Sequence, residues 1–366
     1  MKILIDARFT RLDQHDGISR YGASLIAATA RIADVSMLIS DVRQLALLPD
    51  VPYTLINSPL SPAELFVAAR VNRLGADVVV CPMQTMGSWG RNYALVLTLH
   101  DLIYYEHPAP PGFLPAPVRV LWRLYHKAFW PQRLLLNRAD VVATISSTTA
   151  ALIAKYRLTK RPVRIVGNAP QHGHTPRDPG AGADKTLLYM GSFMPYKNVE
   201  TMIRGMAELP DMTLHLLSRI SPERRAELEQ LAPDGARIVF HNGVTDAEYE
   251  AMLARTTALI SLSRAEGYGL PLVEAMSHGT PVIASDIPIF REVGADAASY
   301  VHPDSPPEFA QAVRTLEQPE LWKARSRLSV ERAAGFSWDE SARRLVDAAA
   351  EAVALRDRKR APGTLP

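Results

Sequence analysis

The chain has 366 residues, enough for two domains of ordinary size, with 47% apolar and 22% charged side chains. That balance belongs to a globular protein, and a net charge of +3 excludes general nucleic-acid electrostatics. The single cysteine, Cys81, excludes an intrachain disulfide and fits a reducing cytoplasm, and no Cys/His cluster has metal-ligand spacing.

The opening run Met1-Lys2-Ile3-Leu4-Ile5 is stopped by Asp6 and Arg8, too short for a signal peptide. No later run approaches the roughly 20 apolar residues of a membrane span. Short β-rich apolar runs alternate with helical patterns, which predicts parallel α/β sheets. In the first half the expected strands are Ile3–Ile5, Ser36–Ile39, Val78–Cys81, Leu95–Leu99, Val141–Thr144 and Arg164–Val166.

After the first strand, Gly17 precedes a helix expected from Ser19 to Ala30, so a phosphate can approach its backbone. No Gly-x-Gly-x-x-Gly follows that strand, which argues against a dinucleotide-dependent enzyme. His100-Asp101 ends the strand Leu95–Leu99, a place that faces the ligand crevice in open α/β sheets, although from the residues alone a satisfied structural histidine is the favoured reading. Asp101 is expected to cap the next turn. Residues 113 to 138 carry Arg119, Arg123, Lys127, Arg133 and Arg138 without an acid, interleaved with Phe113, Trp122, Tyr125, Phe129 and Trp130. A basic, aromatic, amphipathic stretch suits a lipid headgroup interface; a core-packed helix with a solvated basic face is the alternative. Ser146 or Ser147 is expected to cap the helix holding Ala150, Leu152 and Ile153.

Residues 169 to 183, rich in Pro and Gly, read as a linker. The second series of strands is expected at Thr186–Met190, Thr213–Leu217, Arg237–Phe240, Ala258–Leu262 and Val282–Ala284, with a last helix from about Asp339 to Arg356. Lys197, in the loop after the first of these, can neutralise a diphosphate as a point charge. In Arg264-Ala-Glu266-Gly267-Tyr268-Gly269-Leu270-Pro271, the two glycines allow a tight turn of bare amides, and Pro271 suits the first turn of a helix. Such a turn attracts anions, while Glu266 and Glu274, eight residues apart, are placed to accept hydrogen bonds from sugar hydroxyls. An anion site ringed by hydroxyl acceptors is what a nucleotide-sugar needs.

The segment from Arg264 to Asp286 resembles the paired-glutamate signature of the retaining family 4 glycosyltransferases. The resemblance implies the GT-B fold, two Rossmann-like domains with parallel sheets facing across a cleft. Its expected divisions are an acceptor domain at 1–170, a nucleotide-sugar domain at 184–335, and a terminal helix at 336–366 crossing back to the first domain. It implies that Gly17 lies in a loop closing over the donor diphosphate and that His100 positions the transferred sugar. Lys197 then contacts phosphate, Glu266 holds sugar hydroxyls and Glu274 ribose hydroxyls. The amides of Gly267, Tyr268, Gly269 and Leu270 stabilise the leaving diphosphate, and Val244 meets the nucleobase through backbone. Many members carry an arginine where this chain has Ser192, so Arg264 or Arg219 is a candidate substitute. Ser218, Leu262 and Gly167-Asn168-Ala169 also depart from the usual pattern.

The implied reaction is transfer of a hexose from a nucleoside diphosphate sugar, with retention, without a metal or a resident cofactor. The Ile-Asp-Ala-Arg and Gly-Ile-Ser-Arg-Tyr segments resemble mannosyltransferase-like members of bacterial polysaccharide clusters, which points to GDP-mannose. UDP-sugars and deoxyhexose donors stay open, as does a nucleotide- or glycan-binding module without catalysis. The implied acceptor is a lipid-linked or growing glycan, met by a cytoplasmic protein held peripherally on the inner face of the membrane through residues 113–138.

Overall fold

A computed structural model describes residues 1–108, 110, 116–171 and 175–360. Phe113, the centre of the expected linker at 172–174 and the last six residues of the 336–366 segment lie outside them. The chain divides into two compact units, one of residues 1–168 with the segment from Ser337 onward, the other Ala169–Phe336.

Unit 1 holds a seven-stranded sheet: β1 (Lys2–Asp6), β2 (Asp34–Ile39), β3 (Tyr53–Leu55), β4 (Val78–Cys81), β5 (Ala94–Leu99), β6 (Val141–Thr144) and β7 (Val163–Ile165). The order is β3-β2-β1-β4-β5-β6-β7, and every pair is parallel, with Ile3 opposite both Val35 and Val78. The central strands are continuous apolar runs because helices cover both faces, as parallel sheets require. Edge strand β3 was not expected. Its residues are exposed or half-exposed, so no apolar run announces it.

The helix Gly17–Ala30 begins two residues earlier than expected, because the Asp16 carboxylate caps it by accepting from the Ser19 N–H at 2.9 Å. Gly17 is therefore inside the first turn instead of ahead of it. Ser146 caps the helix Ser147–Lys155. The last helix, Trp338–Arg360, packs on Gly17–Ala30 and β5. Near its end Lys359 reaches Asp140, which is 1% exposed and also paired with Arg91.

Unit 2 holds six parallel strands: β8 (Asp184–Tyr189), β9 (Thr213–Leu216), β10 (Arg237–Phe240), β11 (Thr256–Ser261), β12 (Val282–Ser285) and β13 (Ala298–Val301). Their order is β10-β9-β8-β11-β12-β13. Chain order runs outward from β8 on one side and from β11 on the other, so the topological switch lies between these two neighbours. The core includes Tyr189, Met202, Leu214, Ile260 and Phe309. The segment read as a linker is partly built into this unit. The Arg177 N–H donates to the His278 carbonyl, and its guanidinium lies 4.6 Å over the Trp322 ring.

Candidate functional site

In an open parallel sheet, ligands bind beyond the carboxyl ends of the strands at the switch point. In unit 2 that place lies between the loops following β8 and β11. Lys197 and Glu266 come from those two loops. The ammonium meets both carboxylate oxygens, at 2.5 and 2.6 Å, and the two side chains are only 14% and 12% exposed.

The pairing is set by Asn198, the residue that follows Lys197. Asn198 is fully buried with φ +56°, a left-handed conformation that asparagine tolerates. Its amide nitrogen donates to the carbonyls of Leu262 (3.1 Å) and Pro303 (2.6 Å), and its oxygen accepts from Thr201 (2.9 Å). The Arg264 N–H donates to the Tyr196 carbonyl at 2.7 Å, a second tie between the loops. Lys197 and Glu266 are thus held by the backbone on either side of them.

Beyond Glu266 the chain turns through Gly269, at φ +96° and ψ +48°, into the helix Leu270–Ser277, with Pro271 in its first turn. A Cβ on Gly269 would lie 2.8 Å from Phe290 Cε1, so both conformation and packing require glycine. The positive end of the helix dipole faces this turn. Glu274 lies on the second turn of that helix, half-buried. Ser192 is exposed, and its carbonyl accepts from the Tyr189 hydroxyl at 2.5 Å. Arg264 does not stand open as a phosphate cation: its guanidinium is taken by Asp304 (2.5 Å) and the Pro195 carbonyl (3.1 Å). Val244 follows Asn242 and Gly243 after β10, where the Gly243 N–H donates to the Leu217 carbonyl at 2.9 Å.

In unit 1, His100 follows β5. Its Nε2 lies 2.6 Å from the Pro82 carbonyl, which only accepts, so Nε2 carries the proton and Nδ1 has the lone pair. Burial holds its pKa below the ordinary value, and the imidazole is neutral. Tyr21 fixes the ring edge-on at 5.1 Å. Asp101 accepts from the Ile103 N–H at 3.0 Å, the cap expected of it. At this sheet's own switch point, after β1, Arg8 joins Asp6 (2.8 Å) and Glu64 (2.6 Å) in a buried cluster. The Asp-Ala-Arg run signals it, but Glu64, far along the chain, cannot be foreseen.

The aromatic residues of 116–138 divide. Trp122 lies tilted against His126 (4.5 Å) and edge-on to Tyr104 (4.8 Å), and Phe129 stacks between Tyr105 (4.4 Å) and Tyr156 (4.5 Å). These half-buried rings pack the helix Ala116–Tyr125 and the chain that follows it against neighbouring aromatics. The outer apolar surface is Val118, Val120, Leu121, Leu124, Trp130 and Leu134, all exposed. Among the described residues no helix is long and apolar enough to cross a membrane.

Two all-parallel α/β units, of seven and six strands, are the architecture of GT-B glycosyltransferases. Anabaena HepE, solved in complex with UDP, superposes with a TM-score of 0.71 at 19% identity, over 95% of this chain and 99% of that one. Residues 26–169 match Glycosyltransferase Family 4, and residues 184–318 match Glycosyl transferases group 1. The chain belongs to the family 4, group 1 glycosyltransferases and is an enzyme that transfers a sugar. Among curated relatives, the O-antigen chain mannosyltransferase RfbU of Salmonella typhimurium is 26% identical over 82% of this chain and 87% of its own length. O-antigen chain mannosyltransferase B of Escherichia coli is 28% identical over 69% of each.

Proposed function

We propose that the enzyme moves mannose from GDP-mannose, with retention, to a lipid-linked or growing polysaccharide acceptor. The observation that carries the donor site is the Lys197–Glu266 pair at the switch point of unit 2. Mannose is supported by the two O-antigen mannosyltransferases among its relatives. In this reading the donor diphosphate takes Lys197 from Glu266. The Glu266 carboxylate, released, accepts hydroxyls of the transferred sugar. Glu274 accepts ribose hydroxyls, and Val244 meets the base through its backbone. The amides of residues 267–270 face the leaving oxygens, an electrostatic arrangement built before the reaction begins.

The bond from the sugar's anomeric carbon to the phosphate oxygen breaks, and a bond to the acceptor oxygen forms on the same face. The acceptor proton passes to the departing phosphate. In unit 1, Gly17 is assigned to the diphosphate and His100 Nδ1 to a sugar hydroxyl, which its lone pair can accept. The exposed apolar and basic surface of residues 116–138 is assigned to the membrane that carries the acceptor.

Thermal unfolding with GDP, UDP, ADP, dTDP and NAD, followed by a turnover assay with GDP-mannose, tests the proposal. A nucleotide at 100 times its dissociation constant adds about 2.7 kcal/mol to the native state, a shift of several degrees. GDP alone is expected to act. A shift with UDP alone replaces the donor; binding without turnover of any donor makes the chain a binding module.

A further inference from the structure

A nucleoside diphosphate brings more negative charge than one ammonium can neutralise, and the charges at the carboxyl end of the unit 2 sheet are almost all spent on one another. Lys197 is paired with Glu266, Arg264 with Asp304, and Arg224 with Glu200. Arg219 differs. It is exposed, and among the described residues its side chain has no hydrogen bond, ion pair or ring partner.

Its position is built. β9 ends at Leu216, and the next residues lie against the loops on both sides. The Leu217 N–H donates to the Tyr189 carbonyl (3.0 Å), and the Ser218 hydroxyl accepts from the Gly191 N–H (3.1 Å), which joins this loop to the one carrying Lys197. On the other side the Ile220 N–H donates to Asn242 Oδ1 at 3.0 Å. The Arg219 stem runs over Gly243: a Cβ there would meet Arg219 Cγ at 3.1 Å and Nε at 3.4 Å. The backbone that carries Arg219 is fixed at three points between the loop holding Lys197 and the loop holding Gly243, and its guanidinium leans over Gly243 at the carboxyl end of the sheet.

We propose that Arg219 is the second cation of the donor diphosphate site, a positioning residue that binds the phosphates through its planar fork. This rests on the reading that the loops after β8 and β11 hold the donor. With Lys197 still shared with Glu266, Arg219 supplies the positive charge that draws the diphosphate in.

Calorimetric titration of the full chain with GDP, GMP and guanosine, on the wild type, Arg219→Ala and Arg219→Lys, tests the proposal. Arg219→Ala is expected to weaken GDP roughly 10- to 100-fold, the range of a charge-assisted hydrogen bond. GMP should lose less and guanosine nothing, and Arg219→Lys should recover most of the loss, because a point charge still serves phosphate. The GDP affinity of Arg219→Ala should also depend less on salt. The unliganded variant should unfold close to the wild-type temperature, since the exposed guanidinium has no partner among the described residues.

Equal GDP affinity in wild type and Arg219→Ala would overturn the proposal. So would an equal fractional loss for guanosine and GDP, which would assign Arg219 to the base. If the wild type binds UDP and not GDP, the mannose reading fails alone, and Arg219 is judged on UDP, UMP and uridine. If the wild type binds neither diphosphate, the donor-site reading fails and takes this role with it.

Discussion

Replacing Gly269 by alanine isolates what holds the Glu266 turn in place. The residue sits at φ +96° and ψ +48°, and the left-handed half of the map costs an L-residue about 1–2 kcal/mol. The added methyl would lie 2.8 Å from Phe290 Cε1 and 3.2 Å from Cδ1, and Phe290 is fully buried, so the core has to shift. Overpacking of this kind costs about 1–3 kcal/mol, for a total of about 2–5 kcal/mol. For a unit of this size each kcal/mol lowers the midpoint by about 2–4 °C, so a loss of roughly 4–20 °C is expected. Gly235→Ala is the control: φ is +78°, but nothing lies within 4 Å of the new methyl. It should lose only the conformational part, about 1–2 kcal/mol. Urea and thermal unfolding of the two variants beside the wild type measure the difference. If Gly269→Ala and Gly235→Ala lose the same stability, contact with Phe290 is not what demands glycine.

The Lys197–Glu266 pair should show a coupling of about 1–3 kcal/mol in a double-mutant cycle with alanine, since either single variant strands a nearly buried charge; additive single effects would refute the pairing. Acidification should weaken the fold. His100 is pushed below the ordinary value of 6.5 by burial, and His215 by burial, then by His241 and Arg255. The unfolded chain takes up protons as pH falls through about 6.5 while these folded imidazoles stay neutral, so stability is complete above that value and declines below it. Urea midpoints at about pH 7.5 and about pH 5.5 read the effect, and a higher midpoint in acid would contradict it. For the membrane surface, Leu121→Asp with Trp130→Ala should reduce co-sedimentation with phosphatidylglycerol vesicles without changing the unfolding temperature. Both side chains are about two-thirds exposed, at 65% and 66%. A wild type that ignores such vesicles at low salt would remove the assignment.

Local pattern was enough to read the parallel α/β plan, because strands buried on both faces must be apolar throughout. Val78–Cys81 and Val141–Thr144 are strands to the residue as expected. The glycine turn into the helix at Leu270 was legible for the same reason: Gly269 and Pro271 are chosen by backbone geometry within a few residues. Edge strand β3 was invisible, because an edge needs no apolar run. β13 was missed as well, with half of its residues only partly buried. Which charges meet was decided by the order of strands in the sheet. Lys197 finds Glu266, 69 residues away, because β8 and β11 are neighbours, and Asn198 locks their loops together. Arg264 and Arg219 look alike as candidate phosphate cations in sequence. Tertiary packing gives Asp304 to the first and, among the described residues, leaves the second without a charged partner, since a partner's identity depends on long-range approach that no local spacing records.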